Sequence, residues 1–114
     1  MKKFTKQAKN SKLDEFYFGE YDELDIGISY VKSDKEIEEF DDKKHYHKTG
    51  TEYYFVVEGQ VVLGVGDEEV VLDKEEVLQV DKKEMHKVKS VTKAPFKMVV
   101  FNTEKDNQDK IIVN

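Results

Sequence analysis

Residues 45–59 read His45-Tyr46-His47-Lys48-Thr49-Gly50-Thr51-Glu52-Tyr53-Tyr54-Phe55-Val56-Val57-Glu58-Gly59, and this stretch decides the fold. Its second half is dense in aromatic and β-branched residues, which suit the pleated surface of a strand. Successive strand side chains point to opposite faces, so His45 and His47 present both imidazoles on one side. The same parity puts Glu52, Tyr54 and Val56 together, pointing inward. Tyr46, Tyr53 and Phe55 face the other way, into inter-sheet or subunit contacts. Gly50 lets the chain bend, so that the Glu52 carboxylate can point back to the two imidazoles.

Working outward, Glu58-Gly59 reads as a tight turn into a strand over Gln60–Val65, and Gly66-Asp67 as a second hairpin turn into Glu68–Leu72. After the polar break Asp73-Lys74-Glu75, strands are expected at Val77–Val80, His86–Val91, Lys97–Phe101 and Ile111–Val113. Upstream, Asp25–Val31 alternates with Ile26, Ile28 and Tyr30 on one face, and Phe16, Phe18 and Tyr21 suggest a short edge strand. Residues 33–44 are charged around Ile37 and Phe40 and read as a loop. No segment keeps a helical period over ten residues or more. Many short strands with turns between them predict an all-β sandwich or barrel. The 114 residues suit a single domain over 1–114, with its core at about 25–104 and residues 1–14 as a lysine-rich N-terminal arm.

Composition narrows the function. The net charge of -6 argues against a nucleic-acid partner, which calls for clustered positive charge. Every basic side chain other than histidine is a lysine, so a bidentate guanidinium clamp on phosphate or carboxylate is excluded. Lysine pairs such as Lys43-Lys44 and Lys82-Lys83 read as solvated surface. With no cysteine there is no disulfide, thiolate nucleophile or cysteine-zinc site. The polar start and the lack of a long apolar run predict a cytoplasmic protein without a membrane partner.

The three histidines and Glu52 make a donor set for a first-row divalent metal, here iron, manganese, zinc, nickel, cobalt or copper. His86, far downstream, stands at the entry to another strand. Bound this way, an octahedral ion keeps open positions for water, substrate or dioxygen. Around the set, Tyr54 is either a core aromatic or a phenol near the ion, acting as hydrogen-bond donor or weak acid. Tyr30 and Asn102 are candidates to line the interior.

Here the sequence resembles the cupin superfamily. Residues 45–59 are similar to its first motif, in which two alternate histidines precede a glutamate and a glycine follows seven positions later, as Gly59 follows Glu52. Glu75–His86 resembles the second motif, ending in the remaining metal-binding histidine. The family usually has glycine where Glu75 and Lys83 stand and proline where Asp81 stands. The resemblance implies a small cupin β-barrel (a double-stranded β-helix, or jelly roll) with His45, His47, Glu52 and His86 as metal ligands.

Small cupins include metal-dependent dioxygenases and isomerases, so the resemblance implies an enzyme acting on a small organic molecule, with Tyr54 the nearest candidate for proton transfer. The other reading is a non-catalytic module that binds a metal or small molecule. No helix-turn-helix pattern flanks the barrel to support a regulator. Exposed strand edges and the Tyr53/Phe55 face predict a homodimer.

Overall fold

The computed structural model of the chain describes residues 1, 3–10, 15–18, 26–33, 42–104 and 109–113. Nine strands lie among them: β1 Lys6–Asn10, β2 Glu15–Phe18, β3 Ile26–Val31, β4 His45–His47, β5 Glu52–Val65, β6 Glu68–Asp73, β7 Val77–Val80, β8 His86–Asn102 and β9 Lys110–Ile112. The pairings given for them are antiparallel. This is the all-β jelly-roll architecture expected. Tyr21 and residues 34–41 of the expected loop lie outside the described residues. Among the described residues, no helix is long and apolar enough to cross a membrane.

The spine is the ribbon of β5 and β8, of 14 and 17 residues, paired from Val65↔His86 at one end to Glu52↔Asn102 at the other. β6 and β7 flank β5, while β3 and β4 flank the two ends of β8. The hydrogen-bonded order does not close into a ring among the described residues. The curl comes from register shifts along the ribbon between residues 56 and 63 of β5.

Two expected elements are longer than the sequence suggested. Glu58-Gly59 is not a hairpin turn: the chain continues straight through as β5. Gly59 instead takes φ 85°, the left-handed region open to glycine, and absorbs a bulge. A side chain there would collide with the carbonyls of Lys93 and Pro95. The strands expected at 86–91 and 97–101 are likewise one, running through Pro95. Gly66-Asp67 does form the predicted hairpin, with Gly66 at φ 59°. The N-terminal arm is held by pairing: Lys6–Asn10 extends the sheet edge along β2.

The core follows strand parity. Tyr54, Val56, Val61 and Leu63 of β5 meet Val88, Val91, Phe96 and Met98 of β8, all buried and joined by Val31, Leu72 and Val80. Burying each such aliphatic side chain contributes about 1.5–3 kcal/mol. Tyr30 departs from expectation. Ile26, Ile28 and Tyr30 do share a face, but register pairs them with Phe101, Val99 and Lys97, the outward residues of β8. Tyr30 is therefore on the outside, half-buried under the Lys97 ammonium 5.7 Å from its ring centre.

Candidate metal centre

The four residues picked out by spacing meet inside the barrel. β4 is short and alternates, burying His45 and His47 while Tyr46 stays half-exposed. His45 is the direct cross-strand partner of His86, the first residue of β8, so their side chains share a face. Glu52 opens β5 on the same inner side. All four are at most 7% exposed, and their donor atoms lie within 4.8 Å of one another. The carboxylate is the hub: its oxygens sit 2.7 Å from His86 Nε2, 3.2 Å from His47 Nε2 and 3.6 Å from His45 Nε2. The Tyr54 hydroxyl donates to the same carboxylate at 2.7 Å.

The rings are tied from behind. His45 Nδ1 is 2.6 Å from the Lys43 carbonyl, and His86 Nδ1 is 2.8 Å from the Glu84 carbonyl. A carbonyl oxygen only accepts, so both Nδ1 atoms carry hydrogen. The Nε2 of a neutral ring so arranged offers a lone pair to the Glu52 carboxylate. Two acceptors facing each other at 2.7 Å need a cation to join them: a proton or a metal ion bound by both. Burial raises the Glu52 pKa, but with the joining proton on the ring Nε2 atoms the hydrogen bonds from His45, His47 and His86 outweigh it and hold the carboxyl well below the usual range. An ionised carboxylate among imidazole nitrogens, each ring fixed through its other nitrogen, fits a first-row divalent ion.

The segment before His86 takes up glycine-like backbone conformations without glycine. Lys83 takes φ 68° and Glu75 φ 65°, both in the left-handed region. Each donates its own backbone N–H to the first motif: Lys83 to the His47 carbonyl and Glu75 to the Val56 carbonyl, both at 2.7 Å.

Gly50 follows the bend at Lys48-Thr49 and is also needed for space. A side chain there would press on Asn102 and Asp109. Asn102 lines the interior as expected, its amide nitrogen 2.8 Å from His47 Nδ1. Asp109 was missed: it is buried at 4% exposure with Oδ2 3.2 Å from His47 Nδ1. It sits in a polar segment at no motif spacing, and no sequence signal separates it from the other acidic residues.

The sequence pattern of the Cupin domain family matches residues 36–102, and the chain belongs to that family. Solved structures agree on the fold. Pac13, a nucleoside dehydratase of Streptomyces also seen with uridine, is 17% identical with a TM-score of 0.67, the match covering 97% of this chain and 85% of that one. A cupin superfamily protein of Desulfitobacterium hafniense is 16% identical with a TM-score of 0.60, covering 95% and 84%. CapF, seen with the inhibitor 3-isopropenyl-tropolone, is 18% identical with a TM-score of 0.67, covering 98% of this chain and 34% of that one. No curated protein matches the sequence.

Proposed function

We propose that this chain is a metal-dependent enzyme that holds one divalent transition metal ion through His45, His47, Glu52 and His86 and acts on a small organic molecule. The observation that carries this is the buried meeting of two Nδ1-protonated imidazoles with an ionised carboxylate, which a cation must join. Once bound, such an ion supplies Lewis acidity and exchangeable positions for substrate, water or dioxygen. The chain's own part is to present the nitrogens, exclude bulk water and place the Tyr54 hydroxyl 2.7 Å from the Glu52 carboxylate. From there Tyr54 serves as hydrogen-bond donor or weak acid. The ligands named for two relatives, uridine and a tropolone, are oxygen-bearing ring compounds, and we extend that substrate class to this chain.

Anaerobic reconstitution followed by elemental analysis tests the centre, with one ion per chain expected. Failure to bind any first-row divalent ion overturns it. Screening the loaded protein against catechols, diketones, thiols and nucleosides for oxygen uptake or product tests the chemistry.

One observation favours a second reading, a closed non-catalytic binding module: the ligating residues are only 1–7% exposed. Water-proton relaxation of the manganese-loaded protein separates the two. An exchangeable inner-sphere water supports the enzyme, and its absence supports the closed module.

For assembly we infer a homodimer through the outer sheet face, where Tyr53 stacks on Phe101 at 5.0 Å and Val77 is 54% exposed beside it. Light scattering at the 13.4 kDa monomer mass counts against it.

A further inference from the structure

The three imidazoles are not anchored alike. His45 and His86 use carbonyls two residues earlier in the chain, whereas His47 reaches across the fold to Asn102 and Asp109. Asp109 lies beyond residues 36–102, the part of the chain that the family pattern covers. It is nonetheless fastened to the segment between His47 and Glu52 by side chain and backbone. Its Oδ1 accepts from Thr49 N at 2.7 Å and Thr49 Oγ1 at 2.9 Å, and its Oδ2 accepts from Gly50 N at 3.2 Å. Its own carbonyl accepts from Lys48 N at 3.0 Å. The next residue, Lys110, begins β9 and pairs with His47 itself.

The chemistry of His47 makes this contact directional. A ring that binds an ion through Nε2 carries hydrogen on Nδ1, and that N–H needs an acceptor. The Asn102 oxygen receives the Glu104 N–H at 2.9 Å, so its NH2 group faces His47 Nδ1 at 2.8 Å and suits a bare nitrogen. Asp109 at 3.2 Å suits a protonated one, and an ion on Nε2 selects that form and hands the contact to Asp109. A carboxylate can only accept. We propose that Asp109 is a positioning residue of the metal centre: it takes the Nδ1 hydrogen of His47, fixes that tautomer and aims Nε2 at the ion. The inference rests on the metal reading above. It makes the affinity of the centre depend on a segment that the cupin motifs do not contain.

Asp109→Asn tests it, since the amide keeps an oxygen for Thr49 but loses the charge. Chelator competition is expected to show metal affinity falling about 10–100-fold, the range for partners that orient a ligand. The visible spectrum of the cobalt-loaded protein should shift with it. Thr49→Ala removes one of the hydrogen bonds that hold Asp109 but leaves its carboxylate and the Thr49 and Gly50 N–H donors, so its affinity should fall clearly less than that of Asp109→Asn. Unchanged affinity in Asp109→Asn overturns the proposal, and so does an equal loss in both variants. If Asp109→Asn does not fold, the zinc-loaded parent decides by nitrogen-15 spectra of the histidine rings. A proton on His47 Nδ1 supports the role, and a bare Nδ1 ends it. A parent protein that takes neither zinc nor cobalt removes the metal centre along with Asp109's part in it.

Discussion

The two motif segments solve the same backbone problem in different ways. At Gly59 in the first, a left-handed residue is wedged against the carbonyls of Lys93 and Pro95, and only glycine fits. At Glu75 and Lys83 in the second, the backbone is equally left-handed, but both residues are exposed to solvent. Their backbone N–H groups are anchored by hydrogen bonds to the Val56 and His47 carbonyls, and no packed backbone stands against their side chains. A side chain in the left-handed region costs about 1–2 kcal/mol, whereas a side chain driven into packed backbone adds a collision. The first segment is thus a rigid template, and the second is moulded onto it.

Gly59→Ala should break this contrast most severely. It combines the conformational cost with overpacking, and a loss of at least about 3 kcal/mol in urea denaturation is expected. A loss under about 1 kcal/mol would mean that the ribbon relaxes there and the template is not rigid. Next comes metal removal. The loaded protein should gain about 2.7 kcal/mol at a hundredfold excess over its dissociation constant. His47→Ala should abolish that gain and the bound metal while the apo form still unfolds cooperatively. Stoichiometric metal in the variant would detach the first segment from the centre. Tyr54→Phe removes one hydrogen bond to an ionised partner and should cost about 1.5–3 kcal/mol. It should keep the metal and lower turnover, and full turnover would leave Tyr54 a core residue. The smallest effect has the opposite sign. Lys83→Gly or Glu75→Gly relieves φ strain but loosens the unfolded chain, for a net gain of up to about 1 kcal/mol. A clear loss of stability would show that these side chains do more than cover the turn.

The centre was legible because metal chemistry restricts residue type. With only three histidines in the chain, all at motif positions, parity and spacing were enough to group them with Glu52. The inward run Glu52, Tyr54 and Val56 was legible for the same period-two reason. Glu58-Gly59 misled because glycine at positive φ serves a hairpin turn and a bulge alike, and the choice depends on carbonyls more than thirty residues away. Tyr30 misled because alternation says which residues share a face but not which face is inside. Asp109 gave no signal, because its part depends on where the chain returns after β8, which local pattern does not encode.

The β5–β8 ribbon bears on how the molecule folds. Val65 and His86 stand at its near end, where the intervening loop is shortest, and Glu52 and Asn102 at its far end. Closing short loops first is entropically cheaper, so pairing should zip from the near end outward. β4 and β9 join residues 45–47 to 110–112 and rank among the longest-range pairings described. The pocket is then completed late, after most of the core has been buried, and nascent chains should not capture metal before the barrel has formed.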